Sequence, residues 1–281
     1  MRVASSPVQE PVHWRIEMDL ESQALPGANL DQAGGERSVV RGGWRARLTR
    51  ELGDRSFTFL MDSEASFYDW SAPAPIAGTT TDPFNDLYQT HIGAVASFAE
   101  DESIGWFTGM EIGLSGEDNA DVQDAITLGA ITGARCRANE DLTFSFGIAA
   151  LTRLEDDPWI IPYFGFDWAL TDRVRLATEG ARLLLEAELS DSLDATLAAE
   201  YQLRQYRLNE DGPLGDGVFQ DDQIQLTGEL AWHAGENTTL TFAAGAVTWQ
   251  ESAFLDSDGS VLSQRETEPA AFGALTLSFR L

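Results

Sequence analysis

Residues 270–281, AAFGALTLSFRL, decide the fold class. Ala271, Gly273, Leu275, Leu277, Phe279 and Leu281 share one face of an extended chain. Phe272, Ala274, Thr276, Ser278 and Arg280 share the other, because successive strand side chains point to opposite sides. Read backwards, the alternation returns. Segment 223–233 sets Ile224, Leu226, Leu230 and Trp232 against Gln223, Gln225, Thr227 and Glu229. Segment 193–208 sets Leu193, Ala195, Leu197 and Tyr201 against Asp194, Thr196, Glu200 and Arg204. At the other end, Trp14, Ile16, Met18 and Leu20 oppose His13, Arg15, Glu17 and Asp19. The intervening candidates are 38–50, 55–62, 87–98, 104–115, 125–137, 142–152, 159–170, 173–179, 182–189 and 238–249. The count is about fourteen strands, within a range of twelve to fourteen. The narrowest separation is Gly180–Ala181, and 173–189 reads equally as one bent strand.

The connections sort by length. Long ones at 21–36, 63–86, 116–124, 153–158, 209–222 and 250–267 alternate with short ones such as ELGD, ANED, SDS and AGEN, with one exception at Gly180–Ala181. Short periplasmic turns and longer outside loops are the pattern of an outer-membrane barrel, and an even strand number puts both termini on the short-turn side. The apolar faces carry almost no charge in their middles, as hydrocarbon requires. Trp14, Trp44, Tyr88, Phe98, Trp106, Trp168, Trp232 and Phe279 fall near strand ends, where amphipathic rings favour the headgroup level. In hydrocarbon every backbone group must be paired internally, so the sheet has to close. The expected architecture is an all-β, closed antiparallel transmembrane barrel with up-and-down connections, spanning 12–281 after a periplasmic tail at 1–11.

Composition agrees. The 281 residues are 43% hydrophobic, and no apolar run reaches the 18 or so residues of a transmembrane helix. Net charge is -28, with 46 acidic residues against 18 basic ones, all arginine. A chain this acidic is not built for the phosphate backbone of nucleic acid. The one cysteine, Cys136, permits no intrachain disulfide and reads as an inert lipid-facing residue. The opening MRVASSPVQEPVHW holds no apolar signal-peptide core, which an exported barrel needs.

The final strand, with Phe279 near its end, resembles the terminal signal read by the barrel assembly machinery, although Arg280 and Leu281 follow it. The region from about 159 to 281 resembles an uncharacterised, porin-like family of bacterial outer-membrane β-barrel domains. The resemblance rests on WIIPYFGFDWALTDRVRL, AAEYQLRQYRL with its GPLGDG loop, and LAWHAGENTTLTFAAGAVTWQ. It implies a barrel in the bacterial outer membrane and brings no catalytic residues and no cofactor.

Face assignment places Arg15, Arg45, Arg47, Arg135, Arg137, Glu186, Glu188, Glu200, Arg204 and Glu229 on the lumen wall. Positive and negative lumen residues are similar in number, so most of the acidic excess lies in connections. An acidic vestibule favours cations. Glu117, Asp118, Asp121, Asp156, Asp157, Asp221 and Asp222 are the candidates for a divalent cation, as carboxylate oxygens in loops, though the plainer reading is a solvated rim. The segment 63–86, with Phe67, Tyr68, Trp70 and Phe84, is the candidate constriction loop. His13, His91 and His233 have no evident catalytic partners, and no hydrolase or nucleotide motif occurs. The expected function is a narrow pore or transporter for small solutes with a mild cation preference. The alternatives are a closed barrel that displays loops and a barrel enzyme. Outer-membrane lipid and lipopolysaccharide are the expected surroundings.

Overall fold

The computed structural model describes residues 13–30, 35–71, 83–84, 86–99 and 103–281. The expected tail at 1–11 lies outside them. Among the described residues there is no helix; fifteen strand segments run in chain order. They are β1 (His13–Asn29), β2 (Glu36–Leu52), β3 (Arg55–Ser71), β4 (Leu87–Ala99), β5 (Ile104–Glu117), β6 (Ile126–Arg137), β7 (Leu142–Arg153) and β8 (Asp156–Thr171). Then follow β9 (Val174–Glu179), β10 (Arg182–Ser190), β11 (Leu193–Arg207), β12 (Val218–His233), β13 (Thr238–Leu255), β14 (Val261–Thr267) and β15 (Ala270–Arg280).

β14 and β15 are two halves of one strand. β13 pairs with β14 along Gln250–Leu255 and with β15 along Thr238–Val247. Pro269 lies in the break, where its missing N–H costs no ladder bond. β1 pairs with β15 from Glu17 to Ala24, so the first and last strands meet and the sheet closes as a fourteen-strand up-and-down barrel. β9 and β10 are a true hairpin, with Glu179 opposite Arg182. Gly180 holds the left-handed φ of 61° that so tight a turn needs.

The outer face is apolar and bare. Met110, Ile160, Leu197, Phe242 and Phe164 are each more than half exposed, an apolar surface of the kind that meets a membrane or a protein partner. Trp14, Trp106, Trp168 and Trp232 face outward near the strand ends, as the girdle reading expects. Arg50, which shares the outward face of β2 with Trp44, Ala46 and Leu48, lies with its guanidinium 5.2 Å from the Trp14 ring.

Several strands stand taller than the sequence indicates. β1 continues to Asn29, β3 to Ser71 and β13 to Leu255, while β12 begins at Val218. The segments read as loops at 21–36, 63–86, 209–222 and 250–267 are therefore partly strand. Above the lipid the outer face no longer needs to be apolar, so the alternation of hydrophobicity fades while the hydrogen-bond ladder goes on. One device re-aims a face. Ile224 pairs with Trp249 and Gln225 with Val247, leaving Thr248 as a bulge. Below it Phe242 and its neighbours on β13 face lipid; above it Gln250, Ser252 and Phe254 turn inward, because one extra residue reverses every side chain beyond it.

Candidate pore and its closed mouth

The lumen is stratified. Its middle holds a polar chamber of about 560 Å³. Asp19 and Glu21 of β1, Asp62 and Glu64 of β3, Glu200 of β11 and Glu229 of β12 line it, against Arg45, Arg182 and Arg204. That is six carboxylates to three guanidiniums. Arg204 donates through Nε to Glu64 at 2.9 Å, and Arg182 is ion-paired to Glu229. Glu21 and Glu200 have no cationic partner within ion-pair distance among the described residues.

Above the chamber sits a dry layer of charge. Asp221 is fully buried and takes Arg37 on one oxygen at 3.1 Å and Arg41 on the other at 3.0 Å. Tyr68 donates to the second oxygen at 3.0 Å and Gln250 to the first at 2.8 Å. Ser252 bonds to Arg37. Residue 221 lies above the lipid band, since its outward neighbours on β12 are the polar Gln220 and Asp222. Burial pushes the Asp221 carboxyl up, but Arg37, Arg41 and Arg204 together hold it below its ordinary value.

An aromatic lid closes the top. Phe84, Leu87, Tyr206, Leu208, Leu214, Phe219 and Phe254 form one buried cluster, with Tyr68 and Trp70 packed against it. Phe219 is its hub, 4.7 Å from Phe84, 5.1 Å from Phe254 and 5.4 Å from Tyr68, centroid to centroid. The β11–β12 hairpin bends inward over the mouth to make this possible. Arg207 forms a parallel bridge with Gly116 of β5, a contact across the barrel. A side chain at Gly116 would crowd the Arg207 carbonyl. Arg207 also donates to the carbonyl of Asp124 at 3.1 Å and of Asp216 at 2.8 Å.

A second, mainly apolar cavity adjoins the chamber. Of about 450 Å³, it is lined by Leu60, Val95, Ile131, Leu151 and Ile161 with Gly93, Gly109 and Gly129, and it shares Arg45, Asp62 and His91 with the chamber beside Arg47 and Glu111. Glycine on the inner face lets neighbouring side chains lie flat. Glu111 occupies the space over Gly129, and Phe107 that over Gly133.

The lumen candidates distribute over the barrel interior. Arg45, Glu200, Arg204 and Glu229 line the chamber, Arg47 the apolar cavity, and Arg135 and Arg137 a third recess of about 420 Å³ at the short-turn end. Arg15 pairs with Glu51 at 2.9 Å on the same rim. Glu186 pairs with Arg175, whereas Glu188 lines none of these cavities and pairs in register with Asp194. Of the constriction residues, Phe67, Tyr68 and Trp70 belong to β3 and not to a loop. Phe67 points outward and is exposed, so it constricts nothing. Phe84 belongs to the buried cluster, and Tyr68 and Trp70 pack against it.

The acidic candidates are dispersed. Among the described residues no group of three or more His, Cys, Asp or Glu could hold a metal. Asp221 and Asp222 are strand residues, and the first is consumed by arginine. Glu117 accepts the Asn209 N–H at 2.9 Å, Asp121 accepts the Gln123 N–H at 2.8 Å, and Asp156 pairs with Arg153. Asp118 donates its N–H to the Asp86 carbonyl at 3.4 Å, and the Asp157 N–H goes to Asp156 at 2.7 Å. The histidines do have carboxylate partners, contrary to expectation: His91 meets Asp62 at 3.1 Å and His233 meets Asp194 at 2.8 Å. His233 also meets the Thr239 hydroxyl at 3.0 Å through its other ring nitrogen, whereas His91 makes no hydrogen bond to serine, threonine or cysteine among the described residues.

The plug residues Arg37, Tyr206, Phe219, Phe254 and Ser252 escaped the sequence reading. The available signal was the inward parity of Phe219 and Asp221, continuous with Gln223 and Gln225 on β12.

Solved structures of outer-membrane channels share this fold. A TodX monoaromatic hydrocarbon channel (a deltaS2 mutant) matches with a TM-score of 0.53 at 8% identity, over 97% of this chain and 91% of that one. The Pseudomonas putida toluene transporter TodX matches with a TM-score of 0.51 at 7% identity, over 95% of this chain and 90% of that one. Identity this low speaks to fold alone. No protein-family model matches the chain, and no curated protein matches it by sequence.

Proposed function

We propose that this barrel is a bacterial outer-membrane channel for small solutes, narrow and closed at its outer mouth in the state described. The observation that carries the reading is the roughly 560 Å³ polar chamber inside a barrel whose strand order closes on itself. A barrel that served only to display loops has no need of a hydrated interior. The six-to-three excess of carboxylates over guanidiniums along the chamber supports a mild preference for cations. Similarity to channels rather than enzymes supports a non-catalytic role.

A second solute class has its own support. The apolar cavity on the β3–β8 flank suits a small hydrophobic molecule, and the structurally similar proteins include a monoaromatic hydrocarbon channel and a toluene transporter. The apolar belt would be bathed by outer-membrane lipid and the rim would meet lipopolysaccharide. The terminal strand β15 would be what the assembly machinery reads. Divalent cations would meet single carboxylates at the rim.

The test is single-channel recording in planar bilayers across a salt gradient. Small, discrete, cation-leaning openings are expected. A heat-modifiable barrel that never conducts, even with the lid residue Phe219 replaced by Ala, would overturn the channel reading.

A further inference from the structure

We infer that the barrel wall has a lateral window between β8 and β11, through which an apolar chain, alkyl or aryl, passes between the lipid and the lumen. This rests on the channel reading and adds the route and the chemistry of what moves.

The window follows from strand lengths. β8 runs for 16 residues and β11 for 15, but the hairpin between them has strands of only six and nine. β9 covers β8 from Asp167 downwards, and β10 covers β11 only up to Glu200. The last ties are Phe166 to the Thr178 hydroxyl at 2.9 Å and the Tyr201 N–H to the Ala181 carbonyl at 3.2 Å. Above them, among the described residues, no strand pairs with the facing edges of β8 and β11 until Arg207, which bridges Gly116 of β5. Higher still, the gap is bridged again: Leu154 donates to the Gln205 side chain at 3.2 Å, and Arg207 pairs with Glu155. The opening is thus framed on four sides.

The sequence of β8 fits a free edge. The Phe166 backbone N–H and C=O point toward β9, so the even-numbered residues above it point their backbone groups into the gap. Pro158 and Pro162 occupy two of those positions and bring no N–H to leave unpaired. A lipid-exposed edge of ordinary residues would be costly; proline lowers that cost, and chamber water reaches the remainder, since Glu200 to Arg204 of the other edge line the polar chamber.

The lips and floor select an apolar occupant. Ile160 and Phe164 stand outside the gap, exposed to lipid. Ile161, on the inner side of the same edge, lines the apolar cavity that continues past Leu151 and Ile131 to Val95 and Leu60. A chain entering along the β8 lip therefore meets a mainly apolar lining, while the β11 lip opens onto the polar chamber.

The test places a bimane fluorophore at Ile161→Cys in a Cys136→Ala background, in lipid vesicles. Ala243→Cys is the comparison, an inward position behind a fully paired wall; Leu151→Cys is a second reporter on the same lining should the first assemble poorly. Quenchers are a nitroxide-bearing decane and a phospholipid with a nitroxide on its acyl chain. Quenching several-fold stronger at residue 161 than at 243 is expected. Quenching by the free decane alone identifies a dissolved solute, and quenching by the phospholipid identifies a lipid chain. Equal quenching at both positions, or none at either 161 or 151, overturns the window. Planar-bilayer conductance of the same labelled protein reads the pore separately, so loss of one leaves the other interpretable.

Discussion

Arg37 and Asp221 are 184 residues apart in sequence, yet their side chains meet at 3.1 Å with neither exposed to solvent. The pair ties β2 to β12 through the lumen instead of along the wall. Breaking a buried ion pair by removing one partner costs about 3–5 kcal/mol, because the other charge stays buried. Asp221→Asn is therefore expected to destabilise the barrel by about that amount, leaving both Arg37 and Arg41 uncompensated. Urea unfolding followed by tryptophan fluorescence measures it; a midpoint unchanged from the parent would mean that the layer is not dry.

Phe219 touches five other aromatic rings of the lid region. Truncating a buried Phe to Ala costs about 3–5 kcal/mol, and here it also removes the centre of the lid. Phe219→Ala should raise single-channel conductance or open probability. A lid that seals by other means would leave both as they are.

The Thr248 bulge turns Gln250, Ser252 and Phe254 toward the lumen. Deleting Thr248 removes the bulge but leaves Ile224 opposite Trp249 and Gln225 opposite Val247, so those three side chains still face the lumen. The expected protein still closes as a heat-modifiable barrel, because the pairing of β13 with β15 lies below the bulge. Its conductance should stay near that of the parent and below that of Phe219→Ala. Recording both variants at one salt concentration tests the order; a deletion variant that conducts more than Phe219→Ala would mean that the bulge itself holds the plug.

Glu21 and Glu200 line the chamber without ion pairs, so their charge acts on the lumen undiminished by a direct partner. Replacing both by Gln should move the reversal potential in a salt gradient toward zero with little change in conductance. If the reversal potential stays put, selectivity is set elsewhere along the pore.

Acid should act late. The Asp221 carboxyl is held below its ordinary value of 3.8. A depressed carboxylate contributes stability that is complete above the unfolded value and is lost as pH falls through the lower folded value. The charged layer should therefore keep the mouth shut between pH 7 and pH 5, with opening only below 3.8. Conductance recorded across that range tests this; a transition near pH 6 would point to a histidine instead.

The barrel itself was readable because lipid imposes a rule on every residue of the band. Trp14, Ile16, Met18 and Leu20 must face out, and their neighbours must not. The lid and the arginine layer were hidden for the complementary reason. Above the lipid the outer face of β2 carries Ser38 and Glu36, so hydrophobic alternation no longer marks the strand. Tyr68 and Trp70 then resemble loop aromatics, although the ladder continues through them. The Arg37–Asp221 contact depends on curvature across the lumen, and the orientation of Phe254 depends on a single bulged residue. Asp221 looked like a free acidic rim residue because nothing local distinguishes it from Asp222.

The short β9–β10 hairpin also changes how the upper barrel bears strain. Below the turn, tension around the circumference passes from strand to strand through continuous hydrogen bonds. Above it that hoop is cut, and the two free rims are joined, among the described residues, by Leu154 to Gln205, Glu155 to Arg207, Arg153 to Gln220 and the Arg207–Gly116 bridge to the far wall. The plug thus serves as a cross-brace as well as a stopper, so any motion that lifts it from the mouth also lets the two rims spread.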